Sequence, residues 1–593
     1  MQKRVLLIFS VVFLLLLKFN AVRANGFTIS QQTDTIEVKS SVLVVDENQQ
    51  FLVGIKLINL KNKETAFTDQ NGIAILKFSP GDNIQVYAGK SLLFTTVIEF
   101  NTRNTISVSS KNPAVATLKP VRLLYDQSVN PKLTTTATDA VYSADLTKAT
   151  ATSVKSVITG RLAGTYVEQN SGRLGAEPRT DGLYSLLSLG SLGSDALTLS
   201  LRGQSPTIII DGVPRPMTIF NLEEIESITV LKDAVSTAML GGKGANGVIL
   251  ITTKRGAKAK QTISFTAQSA SQKSLKTPTA LNSFEYASLY NEARINDGLT
   301  PVYTSTDLQA YQTGSDPQGY PNVDWKDVVT KPTSRFDHYT LNVAGGNDFG
   351  KYFVAVEHVN QSGLFRSSDL NTYETDNTFK NFTVRSNVDL QINKKLSAGI
   401  NIMGRLINMN DPGFGSGSIL NQIYTTPANA YPIYNPNGSY ATTATYQNNI
   451  YAQAVNSGYI GTYKRDVLAD LFLKRTFDEV TKGLWLRAKA SIYATLAENT
   501  FRNKSFATFA FNPATSVYTQ YGTNGTQSNS TGITQQGRSD YEELAIGYDR
   551  NFGKHGINAI VLANNDNSYS GSDLPYTLRG ISGKASYNFD EKY

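Results

Sequence analysis

Three glycines, Gly242, Gly244 and Gly247, stand at the G-x-G-x-x-G spacing with which a backbone loop can wrap a pyrophosphate. That chemistry needs a strand before the loop and a helix after it, because the helix N-terminus supplies free amides and the positive end of the dipole. Here the order is reversed. Residues 232–240 (KDAVSTAML) read as a short helix, and residues 248–254 (VILITTK) as a β-branched strand that follows the glycines. A helix C-terminus repels phosphate. No Asp or Glu lies between Ala234 and Phe284 to hold a ribose hydroxyl, and Gly242-Lys243 is followed by Gly244 where a phosphate loop needs Ser or Thr. The glycines are therefore expected to end a helix and turn the chain into a strand.

Other chemistries lack their residues. His338, His358 and His555 are far apart, with no H-E-x-x-H or G-x-S-x-G around them, and the chain has no cysteine. No carboxylate pair is singled out among 48 acidic residues. Asp566 to Gly571 resembles half of a calcium loop but lacks the closing Glu, Thr577 standing there, so a solvated turn or loop is expected. Asp69-Gln70-Asn71-Gly72 reads as a turn between strands. No catalytic, metal or cofactor site is expected, and an enzyme is not.

The elements around these residues describe an exported β protein. Lys3 and Arg4 precede an apolar run from Val5 to Leu17, and Val22-Arg23-Ala24 suits signal peptidase, so residues 1–24 read as a cleaved signal peptide. No later segment offers 18 uninterrupted apolar residues for a spanning helix. A net charge of +8 without a compact Lys/Arg run fits a solvated surface rather than a nucleic-acid face. Thirty Tyr and 27 Phe suit an outer-membrane barrel with aromatic girdles. Residues 37–108 alternate short strands with turn signals, as a small β-sandwich does. Residues 109–153, rich in Thr, Ala and Ser, read as a linker. Residues 154–256 mix helix and strand: a helix ending near Gly164, two strands in LTLSLRGQSPTIIIDGVP joined to a tight Asp211-Gly212 turn, and Asp233 as a helix cap.

Several segments of residues 260–593 pass the period-two test of a membrane wall. Ile263, Phe265 and Ala267 alternate with Thr262, Ser264, Thr266 and Gln268; Phe382, Val384 and Val388 with Thr383, Arg385, Asn387 and Asp389; Leu486, Ala488, Ala490 and Ile492 with Arg487, Lys489, Ser491 and Tyr493. Charges fall on one face only. A soluble sandwich with one wet face also alternates. About ten such strands are expected, with stretches 282–333 and 408–461 as extracellular loops.

LRGQSPTIIIDGVP followed by IESITVLKDAVSTAMLGGKGANGVILITTKRG resembles the plug of SusC/RagA-like TonB-linked outer-membrane transporters. On that resemblance Arg202, Gly203, Asp211, Gly212, Pro214, Leu231, Lys232, Asp233, Gly241, Gly244, Ala245, Asn246, Gly247, Thr252, Thr253, Lys254 and Gly256 are plug-framework residues, fold-defining rather than catalytic. Leu240 stands where the family usually has Tyr. Residues 37–108 are similar to the carboxypeptidase-regulatory-like β-sandwich that such transporters carry. No run matches the TonB-box segment; KPVRLLYDQSV, from Lys119 to Val129, occupies its place without matching it.

The resemblance implies a mainly β fold: a small N-terminal β-sandwich, an α+β plug over 154–256, and part of a 22-stranded transmembrane antiparallel β-barrel over 260–593. It implies residence in the outer membrane of a Gram-negative bacterium, among outer-membrane lipids. The implied partners are the TonB energy-coupling complex and a SusD-like surface lipoprotein, and the implied substrates oligosaccharides or peptides. The alternative is a non-transporting receptor or adhesin that uses the barrel as an anchor. Ten strands cannot enclose a plug, and Glu591 interrupts the apolar face that Tyr593 would close, so the chain is expected to be the N-terminal part of a longer protein.

Overall fold

The computed structural model describes residues 38–45, 51–69, 72–79, 81–89, 91–97, 105–108, 121–126, 128–129, 136–148, 151, 153–169, 197–217, 221–369, 371–570 and 574–589. The signal peptide expected over 1–24 lies outside them. The chain divides into two compact units, one up to Lys119 and one from Pro120 onward.

The first unit is built from short amphipathic strands. β1 (Val38–Val45) pairs antiparallel with β4 (Ile73–Phe78) and parallel with β7 (Thr105–Ser107). β3 (Thr65–Phe67), β2 (Ile55–Asn59), β5 (Asn83–Ala88) and β6 (Ser91–Val97) form a second sheet in that order. Alternate residues, among them Val42, Ile55, Leu57, Leu76, Ile84 and Val86, are fully buried in one shared core, the arrangement two facing sheets require. Around the expected turn, the Gly72 amide donates to Asp69 O at 2.9 Å, with Gly72 at a φ of 70°.

The second unit holds a mixed sheet and a large antiparallel wall. Its chain begins with the short pair β8 (Val121–Arg122) and β9 (Ser128–Val129). The mixed sheet has the order β10 (Thr138–Tyr142), β15 (Ile225–Leu231), β16 (Val248–Thr253), β13 (Thr207–Ile210), β14 (Val213–Pro214). Only β13 and β16 run parallel. β16, VILITT, is buried at five of six positions, which is why it reads as an apolar run rather than an alternation. β11 (Thr165–Gln169) and β12 (Leu197–Leu201) make a separate ribbon.

Two sequence expectations need correction here. The linker expected over 109–153 is not a plain spacer, because β10 hydrogen-bonds along β15 from Thr138↔Leu231 to Tyr142↔Ser227. Its Thr, Ala and Asp content hid a strand that depends on a partner far along the chain. The helix expected to end near Gly164 ends at Ile158, with Gly160 and Gly164 at positive φ turning the chain toward β11.

The wall has ten strands in chain order: β17 (Ala259–Gln272), β18 (Ser334–Gly346), β19 (Gly350–Ser362), β20 (Thr378–Asn393), β21 (Leu396–Pro412), β22 (Gly458–Thr476), β23 (Leu484–Asn503), β26 (Ser528–Phe552), β27 (His555–Ser570) and β28 (Tyr576–Phe589). A small hairpin, β24 (Thr508–Asn512) with β25 (Val517–Tyr521), sits in the connection between β23 and β26. Connections 347–349, 394–395, 477–483 and 553–554 are tight turns at one end, whereas 273–333, 363–377, 413–457 and 504–527 are long loops at the other. That asymmetry is the one outer-membrane barrels show. The strands reach further into the expected loop 408–461 than its polarity indicated, β21 running to Pro412 and β22 starting at Gly458. The long loops have their own core, in which Trp325, Phe365, Ile419 and Ile450 are buried together.

The two faces of the wall are inverted relative to a soluble sheet. On β22 and β23 the exposed positions are Val467, Leu471, Leu486 and Ile492, and the buried ones between them are Asp466, Asp470, Arg487 and Lys489. Phe382 is exposed beside buried Thr383, Arg385 and Asn387 on β20. A sandwich with one wet face would bury the apolar set. This one exposes it and buries the charges, as a wall in lipid must.

Candidate functional site

The glycine-rich segment is a piece of scaffold. β15 ends at Leu231, and Asp233 caps the short helix Ala234–Thr237 by accepting from the Ser236 amide at 2.8 Å. A 3-10 stretch, Ala238–Gly244, follows, kinked at Gly241 with φ 56° and ψ −137°. At Gly244 a Cβ would lie 2.6 Å from Thr237 O, and at Gly247, with φ 80°, it would lie 2.5 Å from Leu201 Cδ2. Gly242 has open space around it. The spacing therefore comes from two close approaches and one unconstrained turn residue. The next element is the strand β16, so no helix N-terminus meets the loop.

The remaining residues of the resemblance fall into three places. Arg202 and Gly203 form a left-handed turn (φ 52° and 80°), from which the Arg202 guanidinium donates to Lys232 O at 2.8 Å, while Lys232 Nζ donates to Ala163 O at 2.9 Å. Asp233 also accepts from the Ala137 amide, tying β10 to the helix start. Burial alone would raise the Asp233 carboxyl, but these amide donors hold it below its usual value. Asp211 and Gly212 (φ 50° and 79°) make the two-residue hairpin that Asp-Gly favours, leading to Pro214 opposite Ile209. The Asp211 carboxylate accepts from Thr253 N at 3.0 Å and Thr253 Oγ1 at 2.7 Å. Leu231 is fully buried, Thr252 faces Ser227 across the sheet, and Ala245 and Asn246 are exposed in the turn. The Lys254 amide donates to Glu224 O at 2.7 Å, and Gly256 passes so close to β18 and β19 that a Cβ would stand 2.7 Å from Gly345 O.

This mixed-sheet domain docks on the charged face of the wall through paired ions. Arg215, 2% exposed, reaches Asp470 at 2.8 and 3.3 Å and Ser491 Oγ at 3.0 Å, and Asn401 also donates to Asp470 at 3.2 Å. Glu224 accepts from Arg385 Nε at 2.7 Å, with both side chains almost wholly buried. Burial pushes the Glu224 carboxyl up, against the pull of Arg385. Arg255 meets Asp389 at 2.6 Å, and Lys243 pairs with Asp566. Two neutral bonds add to these, Asn387 Nδ2 to Thr253 Oγ1 at 3.1 Å and to Lys254 O at 2.8 Å, and one charge-assisted bond, Lys489 Nζ to Asp211 O at 2.9 Å. Apolar contact is confined to patches, such as Met403, Leu468 and Tyr493 of the wall against the Ile228 and Ile251 face.

Such an interface favours geometric specificity over net adhesion. Desolvation nearly cancels the attraction of buried ion pairs, so net adhesion is modest while geometric specificity is high. A greasy interface of the same area would bind more tightly and expose apolar surface on opening.

Sequence reasoning identified Arg385, Asn387, Asp389, Arg487, Lys489 and Ser491 as one face but not their partners, Arg215 and Glu224. The available signal was electroneutrality, since a lumenal face carrying charges needs opposite charges opposite it. Asp566 departs from expectation. It lies within β27, is 4% exposed and pairs with Lys243, so it is a wall residue rather than part of a solvated turn. His338 bonds Glu357 at 2.9 Å and Gln268 at 3.2 Å, His358 stacks on Tyr339, and His555 meets Tyr587, each in a different place. No group of three or more metal-ligating side chains occurs among the described residues.

Comparison with known proteins bears on this architecture. The model of the TonB-dependent receptor plug domain matches residues 130–248, beginning before β10 and so earlier than the expected boundary at 154. TonB-dependent receptor P26 of Formosa agariphila is 28% identical over 67% of this chain and 37% of its own length. SusC of Bacteroides thetaiotaomicron, a TonB-dependent receptor, is 26% identical over 44% of this chain and 24% of its own. The chain thus spans well under half the length of these curated relatives. The RagAB peptide importer in its open-open state superposes with a TM-score of 0.55 at 18% identity, covering 79% of this chain and 55% of that one, a likeness of fold.

Proposed function

We propose that this chain, which is of the SusC/RagA type among TonB-dependent receptors, acts in the outer membrane of a Gram-negative bacterium as an importer of oligosaccharides or peptides. The observation that carries the reading is the mixed-sheet domain seated by ion pairs on the charged face of a wall whose other face is apolar. Residues 154–256, extended back to include β10, serve as the plug, with the framework residues from Arg202 to Gly256 shaping its turns. Residues 260–593 serve as barrel wall, 37–108 as a regulatory-like sandwich, and 1–24 as a cleaved export signal.

Import then proceeds through three stages. Substrate binds at the long-loop end, where a SusD-like lipoprotein closes over it. The TonB complex pulls on the chain that precedes the plug. The ion pairs at Arg215, Glu224, Lys243 and Arg255 exchange for water, and the plug shifts enough to open a path. A pure adhesin has no use for a seated plug.

The chain has no cysteine, which makes a reversible lock simple to install. Thr253→Cys combined with Asn387→Cys puts thiols on the two facing residues whose plug hydroxyl and wall amide now meet at 3.1 Å. Cells carrying the full-length gene are fed a mixture of peptides and oligosaccharides, and depletion is followed by mass spectrometry. Oxidation is expected to abolish TonB-dependent uptake and reduction to restore it. Equal uptake with a demonstrably formed disulfide would refute plug movement.

A further inference from the structure

The long loops differ sharply in charge. From Pro412 to Tyr463 no side chain is ionisable as an acid or base of the Asp, Glu, Lys, Arg or His type, although the stretch holds eight tyrosines, and the same is true of charged residues from Ser505 to Gly537. Loops 273–333 and 363–377 carry charges of both signs. Apart from Lys504 at their junction, whose Nζ donates to Asn456 Oδ1 at 2.9 Å, these stretches carry no charge, and they are joined in space: the Phe509 amide donates to Tyr440 O at 2.9 Å, the Thr442 amide to Phe509 O at 3.0 Å, and Thr508 Oγ1 to Gln447 O at 2.8 Å.

Their combined surface presents aromatic rings beside neutral amides. Tyr434 is 42% exposed, stacked on Tyr440 at 5.5 Å and edge-on to Tyr451 at 5.9 Å, and Tyr440 in turn packs on Phe506. Tyr424 is 43% exposed. Asn437, Gln447 and Asn448 are exposed nearby in the chain. Rings held by ring-on-ring packing are rigid platforms that cost little entropy on binding. Amides offer both donors and acceptors to a ligand rich in hydroxyls.

Resting on the importer reading above, we propose that this surface selects neutral oligosaccharides. The C–H faces of pyranose rings fit flat on exposed tyrosines, and their hydroxyls match Asn and Gln amides. A sulfated or carboxylated glycan, or a peptide with charged side chains and termini, would be desolvated here against aromatic rings and amides of stretches 412–463 and 505–537, which supply no counter-charge, a cost that selects against it. Binding governed by such contacts is insensitive to salt, because no ion pair is screened.

The test uses the full-length protein purified from outer membrane in detergent. It is applied to an array of neutral gluco-, xylo-, manno- and galacto-oligosaccharides of four to eight units, their sulfated and carboxylated counterparts, and peptides of matched length. At least one neutral series is expected to bind, with affinity unchanged within twofold between 50 mM and 500 mM NaCl. Tyr434→Ala is expected to weaken it by tenfold or more while Lys276→Ala leaves it unchanged. Preferential retention of anionic glycans or of peptides, or no retention of any neutral glycan, would overturn the proposal. Parallel uptake separates the two readings: TonB-dependent uptake of peptides alone keeps the importer and ends the neutral-glycan inference, whereas neutral-glycan binding without uptake keeps the inference and ends the importer.

Discussion

At the scale of single residues, the decisive pair is Arg215 with Asp470. Both are buried and hydrogen-bonded, so removing one partner leaves an uncompensated charge in a dry place. Arg215→Ala is expected to destabilise the seated plug by roughly 3–5 kcal/mol, and Arg215→Met with Asp470→Leu to recover most of that loss. Urea unfolding followed by the fluorescence of Trp485, which packs beside the plug, reads both. This pair was not legible in the sequence, because its members are 255 positions apart and nothing local marks either. Asp233 was legible, since a short polar residue before a helical run is a local signal. Its folded pKa lies below the ordinary 3.8, so its contribution is fully present above that value and fades as pH falls through the lower, folded one. Asp233→Ala is expected to cost about 1 kcal/mol near neutrality. The difference from the parent should shrink on acidification below pH 4 in the same unfolding measurement, and a constant difference across that range would contradict the cap's role.

At the scale of elements, the glycine segment separates two explanations of one motif. If the glycines cradled a phosphate, each would matter, Gly242 included. In the structure a Cβ on Gly242 would meet nothing within 4 Å, while Gly247 holds φ 80° and a Cβ there would run into Leu201 and Leu231 O. Gly242→Ala is therefore expected to change stability by less than about 0.5 kcal/mol. Gly247→Ala is expected to cost at least roughly 1–2 kcal/mol from the left-handed backbone alone, with steric overlap added. Thermal unfolding of both variants checks the ranking, and equal effects would remove the scaffold explanation. Helix, turn and strand in this segment were readable because each is specified within about ten residues by caps, glycines and β-branching. β10 was not, because all five of its residues pair with β15, far along the chain, and its own sequence is polar enough to pass for a linker. The calcium-like run at Asp566 misled for the same reason: the Asp, Asn and Ser of a lumenal strand face look like those of a loop when the strand's partners are unseen.

At the scale of the whole molecule, the alternation of the wall was legible strand by strand, and the exposed and buried sets on β20 and β23 match the faces read from sequence. What alternation could not decide was which face meets solvent. That is settled by the partner: the plug covers the charged side and leaves Val467, Leu471 and Ile492 outward. The most direct test exploits the absence of cysteine. Single cysteines at Val467, Leu471 and Ile492, and at the inward Leu468 and Ser491, are labelled with a small fluorophore in protein reconstituted in bilayers containing brominated lipid. Strong quenching at the three outward sites and weak quenching at the two inward ones is the expected result; quenching that is absent, or equal on both faces, would contradict a membrane wall with the plug on its lumenal side.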